Sequence, residues 1–147
     1  MYKVIVSILH YNNDHDTLSC LDSLLALNLE DIKISTYVLD NGSKKELDID
    51  PSKYDLLDLT VIRNPKNTGF TGGHNMIFGK VEDKEFDYFM ILNNDTIVHP
   101  DLIKEMVNTI QKNGVGAVVP KIYFTKGHEF HKERYSENDL GKVFLFV

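Results

Sequence analysis

The chain's 147 residues are 42% hydrophobic and 26% charged, with net charge −6; this suits one soluble domain with a real core and argues against a nucleic-acid binder, which carries a basic face. A single cysteine, Cys20, excludes an intrachain disulfide and a thiolate zinc cluster. No apolar run approaches the roughly 20 residues that span a bilayer, and no basic, cleavable leader opens the chain, so a cytoplasmic protein is expected.

Val4–Leu9 is β-branched and almost wholly apolar, the pattern of a central strand buried on both faces. It runs into the polar loop His10-Tyr11-Asn12-Asn13-Asp14. Leu18, Leu21, Leu24, Leu25 and Ala26 then recur at helical spacing, with Asp14 or Asp16 as the expected N-cap. Cys20 falls in or beside that helix as a small buried hydrophobe. Ile32–Leu39 reads as a second strand and ends in Asp40-Asn41-Gly42-Ser43, where Asn-Gly by itself is a hairpin signal. Lys44–Leu57 is polar and mixed, a loop with room for a short helix.

Leu59–Ile62 is a short third strand that stops at Arg63-Asn64-Pro65. Asn67-Thr68-Gly69-Phe70-Thr71-Gly72-Gly73-His74-Asn75 follows. Its glycines let backbone approach a ligand, and a helix beginning near Thr71–Gly73 would aim free N–H groups at an anion. Tyr88–Leu92 is the fourth strand and leads into Asn93-Asn94-Asp95. Pro100 suits a first helical position, and Leu102, Ile103, Met106, Val107 and Ile110 form an apolar stripe closed by Asn113-Gly114. A fifth strand is expected over Val115–Tyr123, bulged or at an edge because of Pro120. Charges crowd His128–Asp139, and Val143–Val147 is apolar and strand-like.

Strands alternating with helices imply an α/β fold: a mostly parallel, Rossmann-like sheet flanked by helices. All its carboxyl ends emerge on one edge, where open α/β sheets place ligands. Any one of the three polar strand ends could be a plain Asx turn. Three at one edge, with a glycine-rich helix start among them, point to a nucleotide site. A metal there would be hard and oxygen-seeking. Asp95 with ligand phosphates suits Mg²⁺ or Mn²⁺, held weakly and with the help of nucleotide because one carboxylate is a thin ligand set.

Val-Leu-Asp-Asn-Gly-Ser at 38–43, Asn-Thr-Gly-Phe-Thr-Gly-Gly-His-Asn at 67–75 and Leu-Asn-Asn-Asp-Thr at 92–96 together resemble family 2 glycosyltransferases, most of all their rhamnosyltransferase-like branch. The resemblance runs from Tyr2 to about Tyr123 and implies a GT-A fold and inverting transfer from a nucleotide-sugar donor. It implies that His10, Tyr11 and Asn12 bracket the nucleotide and that Asp40, beside Asn41, bonds base or ribose. Arg63 and the Gly69–Asn75 segment, with Gly72 and Gly73, would line the nucleotide and diphosphate. Asn93-Asn94-Asp95 stands where the family carries Asp-X-Asp, giving Asn94 a nucleotide contact and Asp95 the metal. Asn93 departs from that pattern by one charge. The resemblance further implies a dTDP- or UDP-linked donor with rhamnose favoured, a saccharide acceptor, cell-surface polysaccharide synthesis and a loose membrane association.

In that family the acceptor-binding half and the general base follow these motifs. Residues 1–147 are therefore expected to be a single donor-binding GT-A domain without its acceptor half, with the catalytic residue unknown. Glu129, Glu133, Glu137 and Asp139 read as a solvated face. His128-Glu129-Phe130-His131 lacks the spacing of a helical zinc motif. A non-catalytic nucleotide-binding or assembly module is the alternative. A nucleotidyltransferase fits less well, because His10–Asp14 has no glycine, arginine or lysine. Gly69–Gly73 is not a dinucleotide fingerprint, and Gly79-Lys80-Val81 lacks the hydroxyl of a phosphate-binding loop. The apolar end Phe144–Val147 suggests a dimer through an unpaired strand edge.

Overall fold

Strand β1 spans Tyr2–His10, β2 Ile32–Asn41, β3 Thr60–Asn64 and β4 Tyr88–Asn93 in a computed structural model that describes residues 1–129, 132–142 and 144–145. The four strands are parallel, in the order β3-β2-β1-β4. Parallel neighbours need long crossovers. Helix α1 (Asp14–Leu24) supplies the first, a 3₁₀ turn at Pro51–Leu57 lies within the second, and helix α2 (Gly69–Val81) joins β3 to β4.

Side chains alternate across a strand, and each face of β1 has its own cover. Ile5 joins Tyr37, Leu39, Ile77 and Val81 in a core beneath α2, with Leu9, Ile62, Phe86 and Phe89 packed against it. Val6, Ile8 and Val38 point the other way and are fully buried, as are Cys20 and Leu21 of α1. Each such side chain contributes about 1.5–3 kcal/mol by leaving water. That explains why β1 reads as a continuous apolar run rather than an alternating one.

Several local expectations shift. The N-cap of α1 is Asn13, whose side chain accepts from the Asp16 N–H at 3.3 Å. Asp14 and Asp16 instead occupy the first turn, where they complement the helix dipole. Helix α2 opens at Gly69, ahead of Thr71–Gly73. Helix α3 spans Leu102–Asn113, and Pro100 lies before it, its carbonyl accepting from the Asn28 N–H at 2.8 Å.

The chain divides into two units, Met1–Glu105 and Met106–Val147. The four-stranded sheet belongs wholly to the first. In the second, only Ile122–Tyr123 of the expected fifth strand is extended into a ladder; this β5 pairs antiparallel with β6, Phe144–Leu145. Pro120 has no N–H to give a ladder, which fits the shorter strand. Val143, Phe146 and Val147 lie outside the described residues, and with them the expected dimer contact. Phe130 and His131 do too. Glu129 is 4% exposed rather than on a solvated face. Its carboxylate accepts from the Gly127 N–H at 2.8 Å and from the Gly141 N–H, so it clamps its own loop. Among the described residues no helix is long and apolar enough to cross a membrane.

Candidate functional site

Register brings the strand ends together. His10 of β1 pairs with Asp40 of β2, which pairs with Arg63 of β3, while Leu9 pairs with Asn93 of β4. The three polar clusters therefore share one sheet edge; hydrogen bonds join the first two directly, while the third is tied to Thr17 of α1.

Asp40 is 1% exposed. Its oxygens accept from the Ser43 N–H at 3.0 Å and the Leu47 N–H at 3.3 Å, and it forms an ion pair with Arg63 Nη1. Arg63 Nη2 donates to the Ser43 carbonyl at 2.6 Å. Burial alone would raise the Asp40 pKa, but these donors outweigh it and hold the carboxyl below its usual value. The expectation that Asp40 bonds base or ribose thus meets a buried carboxylate already occupied in shaping its turn.

Asn41 is the second knot. Its Oδ1 accepts from the Asn64 side chain and from the Thr68 N–H, each at 3.1 Å. Its Nδ2 donates to Asn67 Oδ1 at 3.2 Å and to the Gly69 carbonyl at 3.1 Å. One buried amide so fixes the loop that delivers α2. Gly42 is required beside it: at φ +81°, an added Cβ would sit 2.5 Å from Asn67 N. Gly73 lets α2 settle on β1, since a Cβ there would meet Leu9 Cδ2 at 2.8 Å.

Asn12, at φ +59°, bridges the first two loops. Its N–H donates to Ser43 Oγ at 2.9 Å, and its Oδ1 accepts from the Lys44 N–H at 2.8 Å. Tyr11 beside it is half exposed at this edge. His10 differs from its two neighbours: it is fully buried, with Nδ1 2.8 Å from Thr17 Oγ1 and Nε2 3.4 Å from Asp14 Oδ1. A side chain so enclosed shapes the loop from behind rather than facing a ligand. Burial pushes its pKa down, against the pull of the Asp40 and Asp14 charges.

Asn94 Nδ2 donates to Thr17 Oγ1 at 2.9 Å, and Asp95 next to it is exposed. Gly69 opens α2, Gly72 is half-buried, and Asn75 is exposed further along the helix. His74 is buried, with Nδ1 2.7 Å from Ser7 Oγ and its ring edge-on to Phe70. Cys20 is also buried, and burial pushes its thiol up to about 12, which leaves it inert at neutral pH.

The sequence assigns no site role of their own to Thr17, Ser43, Asn64 and Thr68, although Ser43 and Thr68 lie within the motifs at 38–43 and 67–75. Thr17 had a signal: it is a polar residue on the helix face that continues through Cys20, Leu21 and Leu24. The other three are ordinary loop residues whose partners are far away in the chain.

Among the described residues no group of three or more His, Cys, Asp or Glu is placed to hold a metal. Asp95 alone cannot enclose an ion. An exposed carboxylate at the edge does fit a Mg²⁺ or Mn²⁺ that keeps waters and takes its remaining oxygens from a bound diphosphate.

A sequence model for glycosyl transferase family 2 matches residues 5–146. The chain belongs to that family. Among solved structures it is similar to S. aureus TarS 1-349, at 20% identity and TM-score 0.63, covering 80% of this chain and 38% of that one. The same TarS fragment in complex with UDP-GlcNAc matches at 19% identity and TM-score 0.61, over 80% of this chain and 37% of that one. Its complex with UDP matches at 19% and 0.62, over 80% and 38%. This family 2 chain therefore has the GT-A-like fold and spans well under half the length of those structures. No curated protein matches it.

Proposed function

We propose that the carboxyl edge of this sheet holds the nucleoside diphosphate of a sugar donor, and that the whole protein transfers that sugar to a saccharide acceptor with inversion. The observation that carries the reading is the linkage of the strand-end loops in a family 2 chain. Asn12 is tied to Ser43, Asp40 to Arg63, Asn41 to Gly69, and Asn94 to Thr17. Loops held this way form a preorganised edge, which lowers the ordering cost of binding.

The exposed groups at that edge divide the work. Tyr11 offers a ring against the base. The start of α2 offers N–H groups and a positive dipole end to the diphosphate. Asp95 offers a carboxylate to Mg²⁺ or Mn²⁺, which when bound with nucleotide offsets the charge on a departing diphosphate. His10, Asp40 and Asn41 shape the loops beneath. Residues 1–147 supply the donor-binding portion.

Likeness of the three motifs to the rhamnosyltransferase-like branch favours dTDP-linked rhamnose and a role in cell-surface polysaccharide synthesis, at the membrane's cytoplasmic side. The UDP-GlcNAc and UDP complexes of TarS make a UDP-linked donor the second choice. Calorimetry with dTDP, UDP and their sugars, each with Mg²⁺ or with EDTA, tests both. Binding of at least one at sub-millimolar affinity is expected. Failure of both nucleotides at millimolar concentration would overturn the proposal.

A further inference from the structure

Thr17 belongs to α1, away from every sequence motif, yet its hydroxyl joins three elements. Oγ1 lies 2.8 Å from His10 Nδ1 at the end of β1 and 2.9 Å from Asn94 Nδ2 in the turn after β4. It also lies 3.2 Å from the Asn13 carbonyl. Asn94 Nδ2 can only donate, so Thr17 Oγ1 accepts there. The single hydroxyl hydrogen of Thr17 goes to the Asn13 carbonyl. His10 Nε2 is buried 3.4 Å from the Asp14 carboxylate and has no hydrogen-bond partner.

Thr17 thus accepts from Asn94 with its oxygen held between His10 Nδ1 and the Asn13 carbonyl. Thr17 and His10 are fully buried, so water has little access to the Thr17 oxygen. Asn94 adjoins Asp95, whose carboxylate is exposed at the edge.

We propose that Thr17 is a positioning residue: through Asn94 it fixes the turn that presents Asp95, and so sets how strongly a divalent cation assists nucleotide binding. The inference rests on the donor-site reading above. It assigns the strength of metal coupling to a helix residue that cannot itself reach the ion. Loss of the hydroxyl leaves Asn94 Nδ2 without its acceptor and frees the turn to sample other geometries. The carboxylate stays in place chemically but loses its fixed direction.

The test compares UDP and dTDP affinity in Mg²⁺ and in EDTA for the full chain and its variants, by calorimetry. Thr17→Val should cut the Mg²⁺-to-EDTA affinity ratio by about five-fold, the order expected for one buried neutral hydrogen bond. Thr17→Ser, which keeps the hydroxyl, should restore it. Asn94→Ala should cut the ratio equally, and the double variant should do no more than either. Should Thr17→Val fail to fold by circular dichroism, Asn94→Ala decides alone. An unchanged ratio in the folded variants would overturn the inference. So would a parent chain that binds nucleotide equally with and without Mg²⁺, although the donor-site reading would then stand. A parent chain that binds neither nucleotide would overturn both.

Discussion

Arg63 ties the end of β3 to the turn after β2 with a single guanidinium, pairing Nη1 with the buried Asp40 carboxylate and giving Nη2 to the Ser43 carbonyl at 2.6 Å. The two partners are not equivalent. The Asp40 side chain is 2% exposed and that of Arg63 35%, so removing Arg63 strands a buried charge while removing Asp40 strands a half-solvated one. Arg63→Met should therefore destabilise by about 2–4 kcal/mol, toward the range for breaking a buried pair from one side. Asp40→Ala also loses the acceptor of the Ser43 and Leu47 N–H groups and should cost a similar amount. Asp40→Ala should weaken nucleotide binding without removing its dependence on Mg²⁺. Urea denaturation reads the first effects, and calorimetry the last.

The glycines of this edge should respond very differently to alanine. Gly42 combines φ +81° with a backbone nitrogen 2.5 Å from where its Cβ would lie. Left-handed strain of about 1–2 kcal/mol adds to overpacking of about 1–3 kcal/mol against atoms that cannot move aside. Gly69 shares the positive φ but has nothing within 4 Å. Gly69→Ala should thus cost only the strain, and Gly42→Ala about twice as much or more. Equal losses in urea would show that the loop at Lys66-Asn67 gives way to the new side chain.

Acid should weaken the fold before any carboxylate titrates. Burial lowers the pKa of His10, against the opposing pull of Asp40 and Asp14, and burial lowers that of His74 as well. Both bind protons less tightly when folded than in the unfolded chain, where the ordinary value is 6.5. The unfolded state then binds more protons, so stability falls as pH drops below about 6.5. The lowered carboxylates act with the same sign, but only below about 4.5. Denaturation at pH 7.5 and 5.5 isolates the imidazoles. A lower urea midpoint is expected at pH 5.5, and a flat profile would refute it.

The sequence was most readable where a single residue type announces a backbone requirement. The β-branched run at Val4–Leu9 marks a strand covered on both faces, and it is one. Parallel strands then force Asp40, Arg63 and Asn93 to one edge. What could not be read was which of these side chains face outward. His10 and Asn12 are two residues apart in the same polar loop, yet one is fully buried and the other exposed. That difference depends on Thr17 and Ser43, partners fixed only by how α1 and β2 pack. Glu129 makes the same point in the second unit, where a residue from a charged run turns inward to hold two backbone N–H groups. The fifth strand is only Ile122–Tyr123, shorter than the apolar, β-branched residues of Val115–Tyr123 predict, because Pro120 has no N–H to give a ladder.

Cys20 should behave as a core residue and nothing more. With the thiol fully buried and pushed up to about 12, it should resist a maleimide at pH 7.5 in the folded chain and react in urea. Fast labelling without denaturant would mean that α1 opens locally. Because Cys20 Sγ lies 3.7 Å from the Asn93 carbonyl, that opening would reach the Asn-Asn-Asp turn as well.

Asn93 and Asp95 allow the metal reading to be strengthened as well as removed. Asp95→Ala should abolish the advantage of Mg²⁺ in nucleotide binding while leaving the binding seen in EDTA. Asn93→Asp should act in the opposite direction. Position 93 ends β4 and is exposed beside the turn, so a second carboxylate there adds to the field that a divalent cation meets. Charge count is what tunes such oxygen sites, and an increase of about ten-fold in the Mg²⁺-linked gain, about 1.4 kcal/mol, is expected. The same substitution should weaken nucleotide binding in EDTA, because the added negative charge then faces an uncompensated diphosphate. Opposite shifts in the two conditions would locate the diphosphate at this turn. Shifts of the same sign in both would place it elsewhere on the edge.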